Sequence, residues 1–259
     1  AAARAYRGEN KTKGSCICVM EKLPFLMFRE HSSLEYALLI SEKSSYKGAA
    51  RDVTYTSVPG RSGDLLTDNG RYKNITIPYK LSLLNTTDRS FAVLAHQIKG
   101  WLLSEAGYFR LWDSYDGKYF RFASYNDEAD IEQELRETGA LSLSFSCKPF
   151  KYSFEGQTPV VFTAGGSLYN AEFFPSSPYI KITGSGTVTL TINNASFTFS
   201  DIDEYIEIDS EAMNAYKGTV AKNNKMTGAG FPTLVPGKNV IAWTGNVTRL
   251  EIVPRWCCL

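Results

Sequence analysis

The cysteines of this sequence could supply metal or redox chemistry, but their spacing fits neither. Five are present, Cys16, Cys18, Cys147, Cys257 and Cys258. Structural zinc sites use Cys-x-x-Cys pairs or histidine partners, and a disulfide framework uses an even number of cysteines spread along the chain. We therefore predict reduced thiols and no bound metal or cofactor. Cys147 alternates with apolar residues from Leu141 onward, which predicts that it faces a core as a small hydrophobe.

The two histidines lack the neighbours that catalysis requires. A nucleophilic mechanism needs a serine or cysteine beside a histidine that a third group orients. Neither the segment REHSS around His31 nor the segment around His96 resembles a nucleophile elbow. We predict structural or surface roles for both residues, no catalytic residue and no enzymatic activity. A hydrolase would need a convergent acid/base pair that this sequence does not present.

The acidic segment 200–211, SDIDEYIEIDSE, could suggest calcium binding or paired catalytic carboxylates. It lacks the Asp-x-Asp-x-Asp-Gly loop with a glutamate at the twelfth position that an EF-hand uses. Ile202, Ile206 and Ile208 interleave with the acids. The pattern predicts a half-buried strand with an acidic outer face.

The segment VPGRSGD, residues 58–64, resembles a phosphate-binding loop only in its glycine content. Such a loop ends in Gly-Lys-Ser/Thr and opens a helix, whereas Leu65 and a turn-like sequence follow here. Pro59 fixes its own φ, and Gly60 and Gly63 permit positive φ. We predict a conformationally specialised loop.

Aromatic residues of the second half could stack on sugars. Such platforms are usually aromatic, but so are the cores and rims of β-sandwiches. The candidates are Tyr205, Tyr216, Phe231 and Trp243.

Composition limits the classes of protein and partner. The chain has 259 residues, 43% of them hydrophobic, which allows one large or two small domains with a real core. Lys and Arg number 28 against 27 Asp and Glu, a net charge of +1. A nucleic-acid coat needs a surplus of basic residues on one face, so we predict no sequence-specific nucleic-acid binding. No apolar run approaches the roughly 20 residues of a membrane span, and we predict no membrane partner.

One helix is predicted in the first half, over about 90–105. Phe91, Ile98 and Leu102 belong to an apolar stripe at helical spacing, and Asp88 or Ser90 can cap its start.

Alternating apolar residues predict strands in the rest of the first half. Asp116-Gly117 and Thr138-Gly139 are two-residue turn signals, each of which predicts a hairpin. Pro78 predicts an edge strand or a break in the ladder. The predicted strands are 74–84, 108–112, 118–122, 130–137 and 140–147.

Beyond a boundary near 151–159 the sequence predicts a β-sandwich of about 100 residues, with short strands and no helix. Turns are predicted at Gly184-Ser185-Gly186 and Thr244-Gly245-Asn246. The predicted strands are 179–183, 187–192, 196–199, 204–208, 238–244 and 247–253.

An ordered set of motifs over about residues 20–256 resembles the distal tail proteins of long-tailed, non-contractile bacteriophages and their prophages. Each motif is modest, and their order makes the set more specific. The ending Cys257-Cys258-Leu259 departs from the family pattern. The motifs are VPGRSGDL at 58–65, YKNITI at 72–77, CKPFKY at 147–152, SPYI at 177–180, GSG at 184–186, IEIDS at 206–210, LVPGKNVI at 234–241 and PRW at 254–256.

This resemblance implies a mainly β fold with two domains. A β-rich, ring-forming N-terminal domain with one helix would occupy 20–153, and a galectin-like C-terminal β-sandwich would occupy 158–259. Residues 1–19 would be an extension outside the fold, since the family pattern starts near Met20.

The resemblance also implies a structural virion protein. It would form a ring, expected to be a homohexamer, at the distal end of the tail tube, and would act as the hub of the tip or baseplate. Its partners would be the tail tube protein, the tape-measure protein, the tail-associated lysin or fibre hub and the receptor-binding proteins. Assembly would occur in the cytoplasm of the bacterial host, and the mature location would be the phage tail tip.

A closed ring needs a head-to-tail interface rather than a two-fold patch. We place the loop residues at this interface as a hypothesis, with a segment at 52–75 at the subunit contact or lumen. The alternative function is a carbohydrate-binding adhesion module for the bacterial surface. The interface candidates are Pro59, Gly60, Arg61, Gly63 and Asp64.

Overall fold

The structure is a computed structural model that describes residues 23–42, 48–84, 90–127 and 131–259. The predictions for 1–19, Cys16, Cys18 and the alternative cap Asp88 lie outside these residues. Backbone contacts divide the described chain into two units. The first contains 23–42, 76–117 and 123–146, and the second contains 48–75, 118–122 and 147–259, each without its undescribed residues. The predicted domains 20–153 and 158–259 stay a prediction.

Strands dominate the described chain, which confirms the mainly β fold class. The helices are α1 (Phe91–Leu103) and α2 (Ile131–Thr138), with short 3-10 turns at Ser33–Tyr36, Glu155–Gln157 and Asn223–Lys225. The strands of the first half are β1 (Leu26–Phe28), β2 (His31–Ser32), β3 (Leu38–Glu42), β4 (Arg51–Thr56), β5 (Leu65–Tyr72), β6 (Ile75–Leu83), β7 (Phe109–Asp113), β8 (Tyr119–Ser124) and β9 (Ala140–Ser153). Those of the second half are β10 (Val160–Phe162), β11 (Gly166–Asn170), β12 (Tyr179–Ile192), β13 (Ala195–Ile202), β14 (Tyr205–Asp209), β15 (Asn214–Lys217), β16 (Val220–Ala221), β17 (Met226–Thr227), β18 (Gly237–Val253) and β19 (Cys257–Cys258).

The main sheet of the first unit has the order β2-β1-β7-β8-β9-β6-β3, and β8 and β9 run on into the second unit. Its strands alternate between buried apolar and exposed polar residues, as expected when one face covers a core. β6 buries Ile77, Tyr79 and Leu81 in this way. Of the two alternatives predicted from Pro78, the edge strand is wrong, because β6 lies between β9 and β3, and the break in the ladder agrees with the pairing to β3, which stops before Pro78. Pro78 is tolerated there because the register with β3 runs only from Leu83 to Lys80.

The predicted helix at about 90–105 is confirmed as α1. Ser90 caps it, since its hydroxyl accepts a hydrogen bond from the backbone N–H of Val93 at 3.4 Å. The buried stripe lies at the predicted spacing and consists of Leu94, Ala95, Ile98, Trp101 and Leu102.

The predicted strand at 130–137 is wrong, because residues 131–138 form α2. Ile131 and Leu135 are both buried, and a spacing of four suits one helix face as well as one strand face. The polar residues decide in favour of the helix: Glu132 pairs with Arg136 one turn later, and Gln133 donates to Glu137 at 3.0 Å.

The first predicted hairpin exists, but its two-residue turn does not. β7 and β8 are neighbours in the sheet, and residues 114–118 form a longer loop between them. The Asp113 carboxylate organises this loop by accepting hydrogen bonds from the backbone N–H groups of Tyr115 at 2.9 Å and Asp116 at 3.2 Å.

Two long bent strands organise the second unit, and the turns predicted within them are wrong. β12 and β18 continue through both glycine segments, where their register shifts. A Cβ atom on Gly184 would lie 2.1 Å from the carbonyl oxygen of Asn246. Gly245 has φ +103, and its Cβ would lie 2.4 Å from the carbonyl oxygen of Thr187. The glycines therefore permit bulges where the two backbones approach closely.

These bulges let each long strand serve two layers. The 179–183 part of β12 pairs with β14 and with 249–253 of β18, whereas its 189–192 part pairs with β13 and with 241–244 of β18. Side chains from both parts enter one hydrophobic core, which includes Ile180, Ile182, Leu190, Ile192, Phe199, Ile206, Leu250 and Ile252.

The C-terminal residues complete the second unit. Arg255 forms a bidentate ion pair with Asp209, with N–O distances of 2.7 and 3.0 Å. Burial raises the pKa of Asp209, but the hydrogen bonds from Arg255 and from two backbone amides outweigh it and leave this pKa below its ordinary value. Cys257 and Cys258 then form β19 opposite Tyr152 and Lys151 of β9. The unusual ending is thus a strand of the sheet.

Two substitutions at Arg136 test whether residues 131–138 form a helix or a strand, because alanine and valine differ in their preference for the two. We expect Arg136→Ala to be more stable than Arg136→Val by about 0.5 kcal/mol, because alanine is the better helix former. Both variants lose the ion pair with Glu132 equally. Urea unfolding monitored by circular dichroism measures the difference. A valine variant more stable than the alanine variant would support the strand instead.

Candidate functional site

The five interface candidates lie at the tip of an antiparallel hairpin. β4 and β5 form a sheet of their own, and neither pairs with a third strand in the part of the chain that the structure describes. We call residues 51–72 the arm. Pro59, Gly60, Arg61, Gly63 and Asp64 all lie in its loop, and all are exposed. The structure therefore brings the predicted set together on one protruding element.

The loop adopts the specialised backbone that the sequence predicted. The N–H of Arg61 donates to the carbonyl of Val58 at 3.2 Å, which closes a turn with Pro59 and Gly60 at its centre. Gly60 has φ +79 and Gly63 has φ +86. Proline followed by a glycine at positive φ is the arrangement of a type II turn.

Apolar side chains flank the tip of the arm without cover. Tyr55 faces Leu66 across the two strands, and Leu65 lies opposite Thr56. Tyr55 is 64% exposed, Leu66 54% and Leu65 47%. Sequence reasoning missed these residues, although TYTS followed by DLLT around a Gly/Pro loop signals a hairpin with apolar flanks. An isolated two-stranded hairpin is marginally stable in water, so this surface is suited to burial against another molecule.

A network of charges holds the root of the arm. The Arg51 guanidinium donates to the Asp68 carboxylate at 2.9 and 2.6 Å and to the Tyr72 hydroxyl at 3.1 Å. Asp68 also accepts from the backbone N–H of Gly70 at 3.0 Å. The hydrogen bond with Arg51 and that with Gly70 hold the pKa of Asp68 below its ordinary value.

Further contacts hold the root of the arm and join it to other residues of the second unit. Asp52 accepts from Arg71 at 2.7 Å and lies 3.5 Å from the Lys73 ammonium. The hydrogen bond with Arg71 is the main reason that the pKa of Asp52 is lowered. The Tyr72 ring packs edge-on against Phe150 and Phe174, with centroids 5.4 and 6.3 Å away. The arm thus has an anchored root and a tip without such contacts.

The charges at the tip differ from those at the root. The side chains of Arg61 and Asp64 form no ion pair with any residue in the described ranges. Two exposed, unpaired charges of opposite sign are available for an external partner.

The first unit contains an open cleft of about 450 Å³ beside α1. His31 and Glu35 meet on one wall, with Nδ1 and Oε2 2.9 Å apart. The Tyr36 ring stacks on Trp101 at a centroid distance of 4.9 Å. The lining residues are Arg29, His31, Glu35, Tyr36, Gln97, Gly100, Trp101 and Ser104.

A strained turn forms one wall of this cleft. Phe28 pairs with His31, and the two residues between them, Arg29 and Glu30, have φ +53 and +65. Such a turn favours Asn-Gly, and each non-glycine residue at positive φ costs about 1–3 kcal/mol. Arg29 is held by Ser104 at 2.7 Å and by the Trp101 carbonyl at 3.2 Å. These hydrogen bonds hold the turn in one conformation, so this wall of the cleft is rigid.

The α1 side of the cleft contains a glycine, Gly100, at a position where the described residues leave room for a side chain. Gly100 lies in the helix interior, and a Cβ atom there would meet nothing within 4 Å. Glycine costs about 1 kcal/mol relative to alanine at such a position. On the exposed part of the same helix, Val93 and Leu103 are about half exposed.

The acidic segment 200–211 is two strands rather than one. β13 ends at Ile202, β14 begins at Tyr205, and Asp203 and Glu204 form the turn between them. Both turn acids pair with Lys217 at 3.1 Å, and Ile206 and Ile208 are buried as predicted. Across the described residues, no group of three or more His, Cys, Asp or Glu side chains lies close enough together to hold a metal ion.

The four aromatic candidates do not form one sugar-stacking platform. Phe231 and Trp243 are partly buried and pack against the core of the second unit. Lysine ammonium groups, of Lys181 at 4.5 Å and Lys217 at 5.4 Å from the ring centroid, lie over Tyr205. Tyr216 is partly buried opposite Glu207 in the β14–β15 ladder.

Cys147 and the two histidines have the surroundings that the sequence predicted. Cys147 is buried, and this burial raises the pKa of its thiol to about 12. Burial raises the pKa of Cys257 to about 12 as well. His31 and His96 are both exposed. No helix among the described residues is long and apolar enough to cross a membrane.

The root network can be tested by removing its cation. We expect Arg51→Met to raise the pKa of Asp68, because the carboxylate loses its main hydrogen-bond donor. In the native protein the stability contributed by Asp68 is present above its unfolded pKa and lost as the pH falls through its lowered folded pKa. Carboxyl NMR titration measures the shift.

Hydrogen exchange provides the control for this variant. Arg51→Met should accelerate exchange of the amides paired between β4 and β5 only. Lys80→Met, which removes an exposed ion pair with Glu42 outside the arm, should leave those amides unchanged. An arm that exchanges at the native rate in Arg51→Met would show that other contacts hold the root.

Gly100 and Gly139, two of the glycines with open space around the Cβ position, should respond in opposite directions to the same substitution. We expect Gly100→Ala to raise the free energy of unfolding by about 0.5–1 kcal/mol, because the helix is an ordinary one there. Gly139 also has open space but φ +63, so Gly139→Ala should lower the free energy of unfolding by about 1 kcal/mol or more. Thermal or urea unfolding of both variants gives the signs.

No protein-family model and no curated protein matches the chain. A solved structure does: the crystal structure of the SPP1 Dit (gp 19.1) protein, described as a paradigm of the hub adsorption apparatus in phages that infect Gram-positive bacteria. The TM-score is 0.65 at 13% sequence identity, and the match covers 92% of this chain and 100% of that chain. At this identity the likeness concerns the fold, and at that level it confirms the resemblance to distal tail proteins that the sequence motifs indicated.

Proposed function

We propose that this protein is a structural component of a phage tail, forming a ring at the distal end of the tail tube and linking the tube to the host-adsorption apparatus. The observation that carries the proposal is the exposed apolar arm on a fold similar over nearly its whole length to a tail hub protein. The ring is expected to contain six copies.

The physical argument for self-association rests on the arm. Its two strands bury little of their own surface, and β5 is exposed over almost its whole length. Contact with a second copy would remove Tyr55, Leu65 and Leu66 from water at about 25 cal/mol per Å² of apolar area. A protruding element that inserts into a different surface of the next copy forms a heterologous contact, and such contacts close into rings when the rotation permits.

The remaining assignments follow from this role. The other partners would be the tail tube protein, the tape-measure protein, the lysin or fibre hub and the receptor-binding proteins. The protein would be located at the virion tail tip after assembly in the host cytoplasm. It would act by shape and association, without catalysis. A net charge of +1 suits a channel through which DNA passes without being retained.

The alternative, a carbohydrate-binding module with a galectin-like C-terminal sandwich, receives no support from the positions of the four aromatic candidates. Calorimetry with cell-wall polysaccharide tests it directly. If the native protein stays monomeric and its titration with the polysaccharide gives a saturable heat of binding, this alternative is favoured over the ring.

Assembly is tested by truncating the apolar flanks of the arm. We expect Tyr55→Ser combined with Leu66→Ser to raise the concentration needed for assembly about 100-fold, since the loss of two buried apolar side chains costs about 3 kcal/mol. Size-exclusion chromatography with light scattering, over a range of concentrations, measures the mass. Negative-stain micrographs of the native protein should show six-fold rings.

The matched control truncates apolar residues that are exposed outside the arm. Met213→Ser combined with Val220→Ser removes side chains that are 68% and 57% exposed and should leave assembly unchanged. Reversing the tip charges with Arg61→Glu and Asp64→Lys should weaken assembly. Equal assembly of the native protein and both arm variants would refute a role of the arm.

A further inference from the structure

We infer that the tip of the arm of one copy inserts into the cleft beside α1 of the next copy. This inference rests on the proposed function and deepens it by naming the acceptor surface. Donor and acceptor are different parts of the chain, as a head-to-tail ring requires.

The shape of the acceptor suits a narrow backbone element. The open cleft holds about 450 Å³, within the range of about 300–1,000 Å³ of sites that bury most of a drug-sized ligand. Its walls are preformed, because the Arg29–Glu30 turn is fixed by Ser104 and the Trp101 carbonyl. A rigid acceptor limits the ordering cost of association.

The charges of the two surfaces are complementary. At the tip, neither the Arg61 cation nor the Asp64 anion forms an ion pair within the part of the chain that the structure describes. The cleft offers the half-exposed Glu35 carboxylate to Arg61. Lys99 is exposed but lies two residues after Gln97, on the side of the helix that faces away from the cleft, so the charge complementarity rests on Arg61 and Glu35.

Gly100 gives a second, independent indication. No described residue comes within 4 Å of the place where its Cβ would stand, although a glycine at this helix position is less stable than an alanine would be. A glycine on an exposed helix permits the close approach of another backbone. The tip, with glycines at positions 60 and 63, is a backbone element that could approach in this way.

The apolar surfaces also complement each other. Leu65 and Leu66 follow directly after the tip, and Val93 and Leu103 lie on the exposed part of α1. Docking of the tip in the cleft would bring these two apolar groups together and exclude water around the ion pair.

Disulfide trapping between two different chains tests the inference. One chain carries Ser62→Cys and the other Gln97→Cys; they are mixed under assembly conditions and oxidised gently. We expect a covalent dimer whose bond joins position 62 to position 97 by mass spectrometry, and which neither chain forms alone. Thr219→Cys replaces Gln97→Cys in the control, because Thr219 is exposed but lies outside the cleft.

A charge exchange gives a second readout. Arg61→Glu and Glu35→Lys should each weaken assembly about tenfold when used alone. A mixture of the two variants should recover most of the loss, since each arm then meets a cleft of opposite charge. Additive losses without recovery would contradict the proposed contact between Arg61 and Glu35.

The outcomes separate this inference from the function on which it rests. If the native protein assembles but no bond joins positions 62 and 97, or position 219 traps equally well, the cleft is not the acceptor and the ring proposal stands. If the native protein stays monomeric at every concentration, self-association itself is refuted and the inference falls with it.

Discussion

The proposed self-association depends on the arm, a two-stranded ribbon that is exposed along most of its length and anchored at its root. A hairpin without a third strand has few ways to bury apolar surface, so its order comes from the charges and aromatic rings at its base. Arg51 and Asp68 close the base, and Tyr72 joins it to Phe150 and Phe174. The cost of exposing Tyr55 and Leu66 is offset when a partner covers them.

The second unit supplies the stable base that such an element needs. Its two long strands pass through bulges without interruption and contribute to both layers of one core. The C-terminal strand then closes on β9 beside the Arg255–Asp209 ion pair. Residues 147–153, among which Phe150 contacts the root of the arm, are thereby held by pairing that involves the end of the chain.

Local sequence patterns correctly predicted the elements that depend only on residues close to one another in the sequence. The apolar stripe of α1 with its Ser90 cap and the alternation of β6 needed no tertiary information. The strand predicted at 130–137 was wrong because the spacing of Ile131 and Leu135 fits the period of a helix as well as that of a strand. The pairing of Glu132 with Arg136 fits the helix only. The turns at Gly184 and Gly245 were wrong because a glycine needed for a close approach between distant strands looks the same in sequence as a glycine needed for a turn.

The sequence by itself determined the mainly β class, one helix at about 90–105, the specialised loop at 58–64 and the resemblance to tail proteins. Only the tertiary structure decided that the loop ends an unpaired ribbon, that Tyr55, Leu65 and Leu66 are left uncovered, and that Cys257 and Cys258 form a strand. The reason is physical: turn geometry and periodicity depend on residues a few positions apart, whereas exposure depends on which distant segments fail to cover a surface.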